Sequence, residues 1–447
     1  MTIAALGFGC GSVANHGLTD ASGRGDGGAD ADASGTANVT TKTHVPGFGA
    51  VGAIQANVPV ISFLPNGDVL DTQMSDTTGK ATIKVYPGGS VTAVYAHKAP
   101  DMGTDFATYF GVKTNDTLTF GEAFADPTPV GSMTLTWGAV AGVSYYDLYT
   151  PCNGYYTGTA TSQVITETAG CHVPNMGIEV VAYNAAGTAI ALLATTQTFT
   201  LNATQNIGTP SATPLSHTAN LTFSGINPLV NELDYTLGVV QNGQVQSAYY
   251  ISGNGVPAGG ALNATAMPWV TAVGDRELFV AYQYEENTND APIVVYDSFP
   301  TTQLTWTVAS PPQLPEFPYN SALVSPESNF AAWFTVGAQP TTGTLASAQW
   351  TRQIAGTNYV SNWSFILPPG MQAFAFPKLP SPYDKALPTQ TDFIDQYSIS
   401  QFLVPSLADY DALRAMPESI VECLPCATAQ GIFDRVVMNV DSRNFED

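Results

Sequence analysis

Apolar and polar residues alternate in short runs along most of the chain, and turn residues separate the runs. Ala81, Ile83 and Val85 alternate with Thr82, Lys84 and Tyr86, the period of two that a half-buried strand requires. Val58–Leu64 is followed by Pro65-Asn66-Gly67-Asp68, whose Asn-Gly pair tolerates positive φ and predicts a hairpin into Val69–Met74. Asp76-Thr77-Thr78-Gly79 predicts a second tight turn. There the Asp accepts a backbone N–H two residues on and Gly takes the left-handed position. Gly88-Gly89 turns the chain into Ser90–Tyr95. Further strands are predicted at Tyr145–Tyr149, Ile178–Tyr183, Ala219–Phe223, Tyr235–Val240, Glu277–Tyr282, Leu304–Val308, Ala331–Val336, Ala348–Arg352, Trp363–Leu367, Ala373–Phe376 and Arg435–Val440. One helix is predicted, Ser406–Met416, with Ser406 as N-cap, Asp409 at capping-box spacing and Pro417 as its stop. The expected class is all-β: tandem Ig-like or Greek-key β-sandwich modules with one short C-terminal helix.

Length divides these strands among modules. The chain has 447 residues, enough for three or four small domains. Sandwich modules are expected over 46–125, 128–203 and 206–310, and a β-rich domain carrying the helix over 319–447. Pro311, Pro312, Pro315 and Pro318 form a stiff connector before the last. Residues 11–45 hold Asp20, Asp26, Asp30 and Asp32 among Gly and Ser, so they are expected to be a disordered tether.

Charge narrows the partners. Only 11% of residues are charged, and 13 Lys plus Arg face 36 Asp plus Glu, a formal net charge of -23. Such a surface repels phosphate backbones, so no nucleic-acid partner is expected. No apolar run approaches the ~20 residues of a membrane-spanning helix.

The first ten residues, Met1 to Cys10, are an apolar run ending Gly9-Cys10 and passing into a polar linker. This resembles the end of a bacterial lipoprotein signal, with 1–10 as a signal-peptide remnant and a native start expected upstream. Gly7 stands where that family usually has Leu, and a basic n-region is missing. The resemblance implies lipidation of Cys10, membrane attachment through that anchor alone, and export to the outer membrane, cell surface or medium.

Cys152, Cys171, Cys423 and Cys426 remain, an even set that reads as two local disulfides in an oxidising compartment. Closing the 152–171 loop is worth roughly 3 kcal/mol. For Cys423-Leu-Pro-Cys426 the rivals are a redox pair, half a zinc site and a c-type haem site. No βαβ pattern surrounds it, no second pair follows at zinc-ribbon spacing, and Ala427 stands where haem attachment needs His.

Two segments resemble known sandwich families. In 46–125, the Val58-Pro59-Val60-Ile61-Ser62-Phe63 run, Asn66-Gly67, the Asp76-to-Ala81 D-x-x-G-x-A hairpin and Gly88-Gly89-Ser90-Val91-Thr92 resemble the carboxypeptidase-regulatory-like (transthyretin-like) family. That implies a seven-stranded Greek-key spacer or binding unit without catalytic residues. In 128–203, Leu135-x-Trp137, the Tyr146-x-Leu148 strand and Val180-x-Ala182-x-Asn184-x-x-Gly187 resemble fibronectin type III. The resemblance implies that Trp137 and Tyr146 pack between the sheets and that Asn184 and Gly187 shape the last hairpin. It makes Pro151–Cys171 an inserted loop, and it places Cys152 and Cys171 beside neighbouring strands, bridged to each other.

The search for reactive groups yields no catalytic residue, metal site or cofactor. The five His are in no metal-ligand spacing, no D-x-[DN]-x-[DN]-G calcium loop is present, and no nucleophile-elbow or phosphate-loop motif occurs. Exposed aromatics are the remaining candidates. Trp269 and Trp350 are the least obviously core and are the proposed contacts for a glycan or protein ligand, although most Trp in β-sandwiches are core anchors. The expected function is non-catalytic: binding, adhesion or envelope structure at the cell surface. The alternative is a polysaccharide- or peptide-directed hydrolase whose carboxylate site has no sequence signature.

Overall fold

The computed structural model describes residues 34–43, 53–96, 102–121, 129–150, 154–168, 172, 174–212, 216–217, 220–224, 230–241, 244–254, 263–264, 267–268, 276–285, 293–300, 305–309, 314, 322–325, 330–333, 341–389, 391–429 and 431–444. The chain is all-β, with three short α-helices near its C-terminal end among the described residues.

The turns form where the sequence places them. Gly67 (φ +83°) closes the hairpin between Pro59–Phe63 and Val69–Met74. Asp76 Oδ1 accepts from Thr78 N at 2.7 Å and Lys80 N at 3.0 Å, and Gly79 takes φ +70°. No side chain fits at Gly79, because a Cβ there would lie 2.6 Å from the Thr41 carbonyl oxygen.

Seven strands between 35 and 120 make the first two-layer unit. Gly35–Thr41 lies between Lys80–Val85 and Thr117–Phe120 in one sheet. Pro59–Phe63, Val69–Met74, Gly89–Ala96 and Met102–Val112 make the facing layer. The expected tether over 11–45 therefore fails at its C-terminal end. Ala37, Val39 and Thr41 alternate inward and are at most 1% exposed, and these small residues supply the buried face of a central strand. The rest of the tether, residues 11–33 and 44–45, lies outside the described residues, as does the expected signal-peptide remnant 1–10.

The facing layer does not stop at residue 112. Met102–Val112 pairs in parallel with Thr357–Leu367, and the ladder continues through Gly343–Ile354, Phe393–Leu403, Arg435–Asn444, Ile293–Pro300, Arg276–Glu285, Val230–Gln241 and Gln244–Asn254. One twelve-stranded sheet thus takes strands from the 46–125, 206–310 and 319–447 segments. At the parallel seam Asn362 donates to Asp105 Oδ1 at 3.0 Å, and Thr104 N donates to Ser361 Oγ at 3.0 Å. Gly103 permits this approach: a Cβ there would lie 2.6 Å from the Val360 carbonyl oxygen.

Period-two alternation gives the sheet two cores. Phe63, Phe106, Trp350, Trp363, Phe365 and Tyr397 pack on one face, under Trp333 and Phe374 from a small sheet of Ala322–Ser325, Phe330–Trp333 and Ala373–Ala375, and under Phe376 just past it. Val60, Val91, Tyr95, Tyr109, Ile366 and Phe402 face the other way, toward the Gly35–Thr41 layer and the helices. The helices are α1 (Tyr410–Arg414), α2 (Glu418–Glu422) and α3 (Leu424–Ala429). The helix expected at Ser406–Met416 begins later. Its N-cap is Asp409, whose carboxylate accepts from Ala412 N at 2.9 Å, so the shorter acid at the supposed third position is itself the cap.

Residues 129–206 form a separate sandwich. Gly154–Gly158, Tyr145–Thr150, Asn175–Tyr183 and Ala189–Thr198 face Ser162–Thr168, Pro129–Thr136 and Thr204–Asn206. The stretch read as an inserted loop supplies a strand to each sheet, because Tyr155 pairs with Tyr149 and Ile165 with Met133. Asn184 Oδ1 accepts from Ala186 N and Thr188 N, and Gly187 (φ +73°) completes the last hairpin.

Candidate functional site

An aromatic cleft lies at one end of the 129–206 sandwich. Trp137, just past the Pro129–Thr136 strand, and Tyr146 meet edge to face between the two sheets, with ring centroids 5.7 Å apart. Tyr146 Oη accepts from Val140 N at 2.9 Å, which fixes the phenol at the sandwich end. Tyr156, from the Gly154–Gly158 edge strand, forms a further aromatic wall, and Ser162 and Gln163 supply polar groups. The cleft so made is shallow, with room for about 30 Å³. That is far below the ~300–1,000 Å³ of typical small-molecule sites and about the room of two waters, so it takes a hydroxyl or the edge of a ring and does not enclose a ligand. Burial pushes the Tyr156 phenol up, so it stays a neutral donor. The Trp137 indole nitrogen is buried with no hydrogen-bond partner among the described residues. Stacking and hydrogen bonding are the chemistry this arrangement supports.

Buried carboxylates lie elsewhere. Glu179 and Asp147 sit on the face of this sandwich turned away from its own core, with Tyr149, Val181 and Tyr183. The Gln244–Asn254 strand runs beside the Gly154–Gly158 and Tyr145–Thr150 strands of this sandwich. Desolvation there pushes Glu179 up to about 8. Asp297 is raised to about 6 by burial, against the pull of Arg435, whose Nε lies 3.2 Å away. Glu167 pairs with His172, and burial outweighs the imidazole in raising its carboxyl. Glu418 is wholly buried on α2 beside Glu422, enclosed by Tyr95 and Tyr109. Among the described residues no group of three or more His, Cys, Asp or Glu is placed to hold a metal.

Of the two tryptophans proposed for ligand contact, Trp350 is a core residue. It is 1% exposed and stacked with Phe106 at 6.2 Å. It follows the in-out alternation of Gly343–Ile354, whose buried positions face the aromatic core. Trp269 lies outside the described residues, as do Cys10, Cys152 and Cys171. Cys423, between α2 and α3, is disulfide-bonded, and the Cys426 side chain is outside the described residues. The cleft residues Tyr156, Ser162 and Gln163 escaped sequence reasoning because their segment reads as an inserted loop. The signal that would have found them is the strand-like pair Tyr155-Tyr156 between two glycines.

No known family profile matches the chain, and no curated protein matches it. A Streptococcal ancillary pilin overlaps 63% of this chain and 100% of its own length, at 10% identity and a TM-score of 0.16. The Bacillus anthracis TIE protein overlaps 62% of this chain and 50% of its own, at 11% identity and a TM-score of 0.13. A Salmonella alpha-2-macroglobulin variant overlaps 79% of this chain and 27% of its own, at 9% identity and a TM-score of 0.13. Scores this low establish neither a shared domain nor a shared role.

Proposed function

We propose that the chain is a non-catalytic structural or adhesive protein of the cell surface or extracellular medium. In this reading its 129–206 sandwich carries the ligand-contacting cleft. The observation that carries the proposal is the continuous ladder from Gln244–Asn254 to Val69–Met74, with a parallel seam joining strands that lie far apart in sequence. Such a ladder resists local opening, because each strand inside it must lose pairing on two sides to leave it. That property suits a scaffold holding a small recognition face in place. The acidic, charge-poor surface favours neutral partners, such as glycans or Thr- and Ser-rich protein segments, over anionic ones. Lipidation at Cys10 and a Cys423–Cys426 bridge belong to the same proposal, as anchor and as local brace.

The test is a glycan and peptide array probed with the full chain, followed by product analysis of every ligand bound. Binding without turnover that weakens at least fivefold in Tyr156→Ala supports the reading. Cleavage of a bound polysaccharide or peptide, abolished by changing one Asp or Glu, overturns it in favour of a hydrolase.

A further inference from the structure

One carboxylate ties α2 to the end of the first two-layer unit. Glu418 is 0% exposed, and its Oε2 accepts the backbone N–H of Gly121 at 2.7 Å. Pro417, just before it, bridges to Thr119 on the Thr117–Phe120 strand. Gly121 takes φ +76°, and a Cβ there would lie 2.2 Å from the Lys42 carbonyl oxygen, so the donor can belong only to glycine. In sequence Gly121 lies eight residues before Pro129, where the 129–206 sandwich begins.

The remaining oxygens of this site are unexplained by the backbone. Glu418 Oε1 is buried without a hydrogen-bond partner among the described residues, and so is Glu422 Oε1, one turn later on the same helix. Two ionised carboxylates have only acceptors and repel each other. One proton between them gives both orphaned oxygens a partner and removes one charge from the interior. Burial first, and then the Glu422 charge, drive the Glu418 carboxyl well above its ordinary range, against the Gly121 N–H. The surroundings act in the same direction. Asp105 adds a negative charge from the Met102–Val112 strand. Tyr95 and Tyr109 are phenols that burial keeps neutral, and Tyr109 Oη donates to the Met416 carbonyl at 3.1 Å. Lys42 presents its carbonyl to Gly121, and Tyr410 acts on Tyr109 from α1.

We propose that Glu418 and Glu422 share one proton, and that this acid pair is a pH-sensitive latch holding α2 to Gly121. A pair that keeps a proton in the folded state and loses it on unfolding stabilises fully below the ordinary Glu range. That contribution falls as pH rises, about tenfold in the folding equilibrium per pH unit, until the folded pair itself ionises. Ionisation then sets two charges against each other in the interior and opens the latch.

The experiment uses the full chain and follows the hydrogen-exchange protection factor of the Gly121 amide, with the urea midpoint, from pH 5 to 9.5. Glu418→Gln keeps an acceptor for Gly121 and offers Glu422 a permanent N–H donor. In the wild type the Gly121 protection factor is expected to fall at least tenfold more than that of Leu118 across the range. In Glu418→Gln, and separately in Glu422→Gln, it stays level with Leu118. Wild-type and variant profiles that run parallel from pH 5 to 9.5 overturn the proposal. If neither variant folds, the infrared band of a protonated carboxyl in the wild type decides. Its loss on raising the pH, together with Gly121 protection, supports the latch, and its absence at pH 6 overturns it.

Discussion

The indole N–H of Trp363 donates to Thr108 Oγ1 at 2.8 Å, a bond between residues 255 apart in the chain. Thr108 Oγ1 also lies 2.8 Å from Thr92 Oγ1, so a single buried hydroxyl links three neighbouring strands across the parallel seam. Thr108→Val keeps the shape and removes the acceptor, leaving the Trp363 N–H buried and unpaired. The expected loss is about 1–3 kcal/mol in urea unfolding. A variant as stable as the wild type would show that the seam does not depend on this bond.

Arg414 on α1 is 2% exposed and grips Asp116 through Nε at 2.8 Å and Nη2 at 3.1 Å. Asp116→Ala leaves a buried guanidinium with only Asp411 as a carboxylate partner, at 3.0 Å. It is expected to cost roughly 3–5 kcal/mol. Arg414→Met in the same chain should recover at least half of that loss, because the uncompensated charge is gone. A double variant no better than Asp116→Ala refutes this account of α1.

Glu179 carries a pH dependence whose sign is fixed by its raised carboxyl. Its stabilising contribution is complete below the ordinary value of 4.5 and is lost as pH rises through about 8. Glu179→Gln should therefore gain on the wild type across that window, by on the order of 3 kcal/mol at its upper end. Chemical denaturation at pH 5 and pH 8.5 measures the difference. An equal effect at both values would place Glu179 in contact with solvent.

Most strands were legible because their cause is local. Alternation at Ala81–Tyr86, Asn66-Gly67, and the Asp76 and Gly79 turn chemistry each act within a few residues, and each forms as read. What joins the strands left no such trace. The pairing of Trp363 with Phe106 is chosen by two-faced burial in the assembled sheet, and a fully buried strand reads the same whether its neighbour is near or far in sequence. Gly35–Thr41 was hidden for a related reason. Its inward residues are Ala, Val and Thr, small side chains that next to a Gly- and Asp-rich tract look like more of it. Trp350 misled in the opposite sense, since an aromatic flanked by Gln349 and Thr351 looks amphipathic while its own ring is 1% exposed. The cleft needed Tyr156 to be on a strand, and only the pairing of Gly154–Gly158 with Tyr145–Thr150 puts it there.

The continuity of the sheet through Met102–Val112 and Thr357–Leu367 is tested most directly by denaturant-dependent hydrogen exchange on the intact chain. Amides of Phe106–Tyr109 and Trp363–Ile366 face one another across the parallel seam. If the ladder is one cooperative structure, both sets exchange through a single opening, with the same free energy and the same denaturant slope. Two distinct openings, with Phe106–Tyr109 staying protected after Trp363–Ile366 has exchanged, would contradict it.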